Sequence, residues 1–179
     1  MNSKILNNIA IAAILISLAV VSRIIPNKPD NFTALGAVFL FSTFYFKDRR
    51  IRFLIPITIM LCSDLCLYWL KGIPISGLGI YLCLMLYIPV SAVLIKKVKF
   101  ANVALAGISG ATLFFITSNF LVWAQGGGYG LGFIETYTVA ISFYRNALLG
   151  DLAWSITIFG VYALSKNRIK QTSFLYTKD

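Results

Sequence analysis

The chain has 179 residues, of which 59% are hydrophobic and 12% are charged. Because soluble domains are about 45–50% apolar and about 25% charged, this composition excludes a soluble globular domain, a disordered chain and a disulfide-rich secreted module. The 16 basic and 6 acidic residues give a formal net charge of +10, and there is no histidine, the commonest general base and metal ligand. The length predicts a single domain over residues 1–179.

Six apolar runs follow one another along the chain, separated by short polar or basic segments. A helix of about 17–25 residues crosses the hydrocarbon core of a bilayer, and continuous runs favour helices over a β-barrel. The run at 33–46 is short and is expected to pack against partner helices or to tilt. The first run also has features of a secretory signal, but it is long for one. We therefore predict an all-α integral membrane protein with six transmembrane helices at 5–25, 33–46, 53–70, 78–95, 101–124 and 144–164, and an outer cap over 125–143.

Basic residues alternate between the connecting segments, which predicts the orientation of the helices. One side carries Lys4, Lys47, Arg49, Arg50, Arg52, Lys96, Lys97, Lys99, Lys166, Arg168, Lys170 and Lys178. The other side carries Arg23, Lys28, Lys71 and Arg145. The positive-inside rule then predicts that both termini are cytoplasmic in a multi-pass protein of the inner (plasma) membrane. The basic excess is a topology signal, so no nucleic acid partner is expected.

Polar side chains collect toward the predicted outer side. Asp64 lies six residues before the end of its run at Leu70, and Asp151 lies seven residues inside the last run if that run begins near Tyr144. At about 1.5 Å per residue, both carboxylates are then roughly 9–10 Å below the outer surface. Asn119 is near the same depth. The inner halves of the runs contain no ionisable group except tyrosine, so we expect a polar cup that opens outward and is closed below, a shape suited to capture rather than conduction.

Each of these residues also has a structural interpretation. Asp64 and Asp151 can pair with Arg145 or Arg23 simply to neutralise buried charge. Asn119 can hydrogen-bond a neighbouring helix, and Trp123 can be an interfacial aromatic.

Two cysteines, Cys62 and Cys66, share a helical face at spacing i, i+4 beside Asp64. Without histidine they make a poor zinc site. They are either inert buried thiols or, in the case of Cys62, a soft ligand for the metal of a cobalt-containing molecule.

The segment 125–132 has five glycines in eight positions. It is either a lid over the outward pocket or an ordinary flexible connector. We expect residues 133–143 to form a re-entrant or interfacial part of the outer cap.

Five segments between Arg23 and Gly160 form a combined pattern: RIIPNKPDNFTALGA at 23–37, Ser63-Asp64, FFITSNFLVW at 114–123, FYRNALLGD at 143–151 and Phe159-Gly160. Together they resemble the S components, the substrate-binding subunits of energy-coupling factor (ECF) transporters. The resemblance implies a six-helix bundle that captures a vitamin or metal ion outside the cell and topples in the membrane, driven by a T component and cytoplasmic ATPases. Some proteins that resemble S components take up cobalamin without a dedicated module, and one branch uses a cysteine as cobalt ligand; if the chain belongs to that branch, the resemblance implies Cys62 as this ligand. The first run has only Ala13-x-x-x-Ser17 where the family often has an Ala-x-x-x-Ala docking motif.

The sequence thus predicts a non-enzymatic substrate-capture subunit for a vitamin or related cofactor, with cobalamin or another corrinoid as first choice and no intrinsic cofactor. The alternatives are a membrane-bound enzyme acting on a lipid-like substrate, with Asp64 and Asp151 as its acid–base pair, and a structural subunit without a small ligand. Membrane lipid surrounds the protein in every case. The predicted substrate-binding residues are Asn31, Phe32, Thr33, Asp64, Asn119, Trp123, Tyr137, Arg145, Asn146 and Asp151.

Overall fold

The computed structural model describes residues 3–126 and 130–176, with side chains for residues 5–126 and 130–166. This part of the chain contains no strand. Its helices are α1 (Ser3–Ile24), α2 (Leu35–Tyr45), α3 (Arg49–Lys71), α4 (Leu78–Met85), α5 (Tyr87–Leu94), α6 (Phe100–Ala124) and α7 (Phe133–Tyr176). Only Leu86 separates α4 from α5, and its backbone is itself right-handed helical. The two segments therefore form one kinked helix, and the predicted all-helical, six-helix architecture is confirmed.

Four helices are long and apolar enough to cross a membrane: Ile5–Ile24, Arg49–Lys71, Phe100–Ala124 and Phe133–Lys166. Their outer faces are apolar. Ile14, Leu105 and Val161 are each more than half exposed. Apolar surface on this scale is unusual for a soluble protein, whereas it suits helices that face lipid, so the structure is consistent with a membrane protein.

The short helix α2 forms the centre of the bundle. Every residue from Leu35 to Thr43 is buried, and α2 contacts α1, α3, α5, α6 and α7. Its 11 residues carry no charge and extend about 16 Å at 1.5 Å per residue. As the sequence indicates, this short run packs against partner helices, and its first turn consequently lies inside the bundle.

Small residues on one face of α6 allow its neighbours to approach closely. The buried positions Val103, Ala106, Gly107, Gly110 and Ala111 follow a spacing of three and four residues, which places them on one face. A Cβ on Gly107 would lie 3.7 Å from the carbonyl oxygen of Asp151 on α7. A Cβ on Gly110 would overlap the ring of Tyr87 on α5.

The last helix begins at Phe133 and not near Tyr144, so the re-entrant alternative for 133–143 is wrong, whereas the interfacial alternative stays a prediction. No proline or glycine interrupts the stretch from 133 to 143. The side chain of Glu135 caps the start of α7 by accepting a hydrogen bond of 3.0 Å from the backbone amide of Gly132. Asp151 is therefore 18 residues from the start of α7, about 27 Å, whereas Asp64 is seven residues from the end of α3, about 10 Å. Because α7 begins 11 residues before Tyr144, distance along α7 does not give the depth of Asp151, and the equal depth of the two carboxylates stays a prediction.

The bundle has two chemically different ends. The basic end carries the connections around Lys47–Arg52 and Lys96–Lys99. The pocket end carries the loop at 25–34 and the loop at 72–77. At the basic end, Asp48 caps α3 by accepting from the amides of Arg50 and Ile51. At the pocket end, α3 stops at Gly72, which has a positive φ of 65°.

Candidate functional site

A buried ion pair joins α1 to α3 at the pocket end. Nη1 of Arg23 is 2.6 Å from Oδ1 of Asp64, and it also donates to the hydroxyl of Ser63. The second carboxylate oxygen of Asp64 accepts from the amide of Ser76 at 2.9 Å and from the hydroxyl of Tyr81 at 3.1 Å. Both oxygens of Asp64 are thus occupied, and three separate segments of the chain are tied to this one side chain.

A second polar contact fixes the start of α2 against α1. The hydroxyl of Ser22 accepts from the amide of Ala34 at 3.0 Å and donates to the carbonyl of Ala19 at 2.8 Å. On the other side, a Cβ on Gly150 would lie 3.1 Å from the amide nitrogen of Thr33, so only glycine lets α7 pack this closely on the loop. The loop at 25–34 is therefore held between α1 and α7.

Asp151 projects from α7 to the first turn of α2. It is 4% exposed and accepts a hydrogen bond from the hydroxyl of Tyr87, which is 2% exposed. A Cβ on Gly36 would overlap the carboxylate of Asp151, so glycine is needed for α7 to approach α2 here. The amino end of a helix carries partial positive charge, and that charge favours a carboxylate at this position.

One cavity of about 220 Å³ joins these elements, and we call it the inner cavity. Its polar lining comes from two groups of residues. The first group lies in or next to the loops of the pocket end and consists of Arg23, Asn31, Thr33 and Ser76, and the second consists of Tyr87 on α5 and Asp151 on α7. The rest of the wall is mostly apolar and includes Leu35, Met60, Ile80, Leu84, Phe114 and Ala147.

Two further cavities adjoin the inner cavity. The aromatic cavity, of about 180 Å³, shares Asn31, Ile80, Phe114 and Ala147 with it, and adds Phe115, Phe143, Tyr144 and Asn119. The loop cavity, of about 340 Å³, shares Arg23, Asn31 and Thr33 with it. The rest of its lining comes mainly from the loop at 25–34, including Pro26, Asn27 and Asp30, so the loop cavity lies beside the inner cavity at the pocket end.

The loop cavity is basic. Lys28, Lys71 and Arg23 line it together with Asp30. Partial burial lowers the pKa of the Lys28 ammonium from its ordinary value. Asp30 acts in the opposite direction, and Lys71 and Arg23 lower the pKa further. Since these cations repel one another, an anionic group entering here would relieve the repulsion.

The structure brings together five of the predicted site residues. Asn31, Thr33 and Asp151 line the inner cavity, and Asn119 lines the aromatic cavity. Asp64 lies directly behind Arg23 and holds it in place. Asn31 adopts a left-handed backbone with φ of 62°, a conformation that asparagine tolerates better than most residues.

Five predicted residues lie elsewhere and line neither the inner nor the aromatic cavity. Phe32 supports the loop through its backbone beside Gly150. Trp123 packs against Phe120 and Phe133 and is 38% exposed. The remaining three are Tyr137, whose hydroxyl donates to the carbonyl of Ile116 at 2.6 Å, the exposed Arg145 and the half-buried Asn146. Of the two pairing options for Asp64, Arg23 is the partner and Arg145 is not.

Cys62 is half-buried on α3 and lines neither cavity. Within the described residues, no group of three or more His, Cys, Asp or Glu side chains is placed to hold a metal ion. The proposed lid at 125–132 includes residues 127–129, which lie outside the described residues.

Sequence reasoning missed Tyr87, Tyr81 and Ser76. Tyr87 lies in the inner half of its run, which the sequence predicts to close the cup, whereas its hydroxyl donates a hydrogen bond to Asp151. A signal was present in Gly110, because a glycine inside a long helix leaves room for a large side chain from a neighbour.

The fold and the site define an all-helical protein with membrane-spanning character and a polar cavity inside the helix bundle. Residues 3–172 match DUF6580, a family of unknown function, and the chain belongs to that family. No curated protein and no solved structure matches the chain.

Proposed function

We propose that this protein is a membrane-embedded substrate-capture subunit for uptake of a vitamin or related cofactor, similar to the S components of ECF transporters. The observation that carries the proposal is the inner cavity. It lies inside the bundle, it adjoins the aromatic cavity, and it shares Arg23, Asn31 and Thr33 with the loop cavity. Small-molecule sites typically combine apolar walls with a few fixed polar groups in this way.

The proposed direction of capture is from outside the cell. The basic end carries Lys47, Arg49, Arg50, Arg52, Lys96, Lys97 and Lys99, and the positive-inside rule assigns such an end, with both termini, to the cytoplasm. The inner cavity then opens outward. Single-cysteine variants at Asn27 and Lys97 test this in intact cells: a membrane-impermeant maleimide should label the first and spare the second.

The closed side of the cavity also supports capture over conduction. α2 begins beside Asp151 and is buried from Leu35 to Thr43, and Phe39 and Leu40 have no exposed surface. Release on the other side would require the bundle to move as a whole. Toppling against a T component with its ATPases supplies such a movement. On α1, Ala13 and Ser17 are both exposed, as a helix–helix docking motif requires.

The size of the site supports a ligand smaller than a corrinoid. A cavity of about 150 Å³ holds benzene, so the inner and aromatic cavities, of about 220 and 180 Å³, each suit one ring. Cys62 would serve a corrinoid only after rearrangement of α3, since it lines neither cavity. A Cys62→Ser variant should therefore retain any ligand that copurifies with the unaltered protein.

A non-catalytic role is supported by the surroundings of Asp64. An acid–base pair needs groups that can exchange protons with the substrate. Both oxygens of Asp64 already accept hydrogen bonds, so Asp64 is a positioning residue for Arg23.

Native mass spectrometry of the full chain in lipid nanodiscs tests the proposal. We expect a copurifying small molecule that is released unchanged. Ala147→Phe should abolish its retention because Ala147 lines both the inner and the aromatic cavity. Leu149→Phe is the matched control, since Leu149 is 51% exposed on the same helix. Equal ligand retention in the two variants, or a chemically altered ligand, would contradict the proposal.

A further inference from the structure

The inner cavity contains a carboxylate without a cationic partner. Arg23–Asp64 is the one salt bridge among the residues whose side chains the structure describes, and it leaves Asp151 with a neutral donor, Tyr87. Tyr87 bonds one oxygen of Asp151, and no other described donor reaches the second. A buried carboxyl group is stable either when it is protonated or when its charge is paired, so a cationic group bound in this cavity would stabilise the ionised form of Asp151.

The opposite wall of the same cavity offers hydrogen-bond donors. Arg23 has five N–H donors, and its contacts with Asp64 and Ser63 both use Nη1. The guanidinium also lines the loop cavity together with Lys28 and Lys71. An anionic group placed beside Arg23 would therefore meet free donors and three positive charges.

When all are ionised, the described charged groups around the inner cavity and the loop cavity balance one another, but the negative and positive charges are separated, as they are in a zwitterion. Asp64 neutralises Arg23, Asp151 leaves one negative charge inside, and Lys28 and Lys71 exceed Asp30 by one positive charge in the loop cavity. A simple cation that enters through the loop cavity would be repelled by its excess positive charge. A simple anion would leave the charge of Asp151 without a partner.

Building on the capture function proposed above, we propose that the ligand is a single-ring zwitterion. Its protonated nitrogen donates to Asp151, its anionic group accepts from Arg23 beside the loop cavity, and its ring lies between them against Phe114 and Ile80. Both of these apolar residues line the inner cavity. Charge-assisted hydrogen bonds at the two ends then determine which ring compounds are selected.

Three ring compounds of similar size test the charge pattern by isothermal titration calorimetry of the full chain in nanodiscs. They are 4-(aminomethyl)benzoate, which carries both charges, benzylammonium, which lacks the anion, and 4-methylbenzoate, which lacks the cation. We expect the zwitterion to bind at least about tenfold more tightly than either of the others. Tightest binding of benzylammonium or 4-methylbenzoate would overturn the proposal, as would binding of none of them at millimolar concentration.

Variants of the protein test separately the contacts proposed for the two charged ends of the ligand. Asp151→Asn should weaken the zwitterion and benzylammonium about tenfold or more and change 4-methylbenzoate within about twofold. The double variant Arg23→Gln/Asp64→Asn, which keeps the pair neutral, should remove the advantage of the zwitterion over benzylammonium. Asp30→Asn, outside the inner cavity, is the control for charge in the loop cavity. Equal losses for all three compounds in Asp151→Asn would mean that Asp151 only shapes the cavity, and the proposal would fall.

Failure here is distinct from failure of the capture function. If Ala147→Phe releases a copurifying ligand and the zwitterion has no advantage, capture stands and the bipolar ligand is wrong. If Ala147→Phe and Leu149→Phe retain ligand equally, the cavity is not the capture site and both proposals fail.

Discussion

Asp64 and Asp151 are both buried in the helix bundle, yet their surroundings differ in kind. Asp64 is paired with Arg23 and accepts two further hydrogen bonds from Ser76 and Tyr81. Asp151 accepts one hydrogen bond from Tyr87 and faces a cavity. A fully satisfied buried carboxylate holds a structure together, whereas a partly satisfied one beside empty space is available to a ligand. The comparison therefore distinguishes an acid that joins three segments of the fold from an acid that the proposal above places against a ligand.

The largest expected effect comes from breaking the Asp64 cluster. Asp64→Ala leaves Arg23 as an uncompensated buried charge, and loss of one partner of a buried pair costs about 3–5 kcal/mol. We expect the thermal midpoint in nanodiscs, followed by tryptophan fluorescence, to fall by roughly 10 °C or more. The double variant Arg23→Met/Asp64→Leu should recover much of this loss because it removes both charges. A double variant as unstable as the single one would show that the charge pairing is not the cause.

A smaller loss is expected where α2 meets Asp151. Gly36→Ala places a methyl group on the carboxylate of Asp151, and overpacking of this kind costs about 1–3 kcal/mol. Gly160→Ala on α7 is the control, since a Cβ there meets nothing within 4 Å. We expect that variant to be more stable than the unaltered protein by about 0.5–1 kcal/mol. Equal thermal midpoints for the two variants would contradict the close contact between α2 and α7.

Removal of the hydroxyl of Tyr87 sharpens the comparison further. Tyr87→Phe deletes one buried hydrogen bond, which is worth about 0.5–1.5 kcal/mol, and leaves the aromatic ring against Gly110 in place. Tyr81→Phe is the matched change at Asp64. Because Asp64 keeps its hydrogen bonds to Arg23 and Ser76 in Tyr81→Phe, this variant should lose no more stability than Tyr87→Phe. A larger loss of stability in Tyr81→Phe than in Tyr87→Phe would contradict the view that Asp64 is the more fully hydrogen-bonded of the two carboxylates.

The smallest effect on stability is expected for Asp151→Asn, within about 0.5 kcal/mol. Asparagine has nearly the same shape, its carbonyl still accepts from Tyr87, and no cationic partner is stranded. Asp64→Asn provides the contrast, since it weakens the bond to Arg23 and should cost several times more. If Asp151→Asn lowers the thermal midpoint as much as Asp64→Asn, Asp151 is a structural residue.

Much of the fold follows directly from the sequence. The apolar runs predict the six helices, and the short uncharged run at 33–46 predicts a helix enclosed by others. The predicted end of a helix is accurate where a helix-breaking residue follows it, as at Gly72 after α3. The predicted start of α7 is wrong, because an amphipathic start at Phe133 without proline or glycine resembles an interfacial segment as much as the first turns of a long helix.

The candidate site was predicted less completely for a physical reason. Intramembrane aspartate and asparagine stand out by composition, so Asp64, Asn119 and Asp151 were found. Their partners were not all visible, since Tyr87 and Ser76 look like ordinary membrane and loop residues until three-dimensional packing brings them to a carboxylate. Arg145 stood out equally well by composition, yet it faces outward because its position on α7 lies away from the cavity.

The helices of this bundle differ greatly in length, and a surrounding bilayer would respond to that difference. The part of α7 from Phe133 to Lys166 has 34 residues, about 51 Å, against a hydrocarbon thickness of about 30 Å. A helix of this length tilts in the bilayer or extends beyond the hydrocarbon. The orientation of the whole bundle is therefore coupled to the thickness of the membrane around it, and lipids with longer acyl chains would favour a more upright protein.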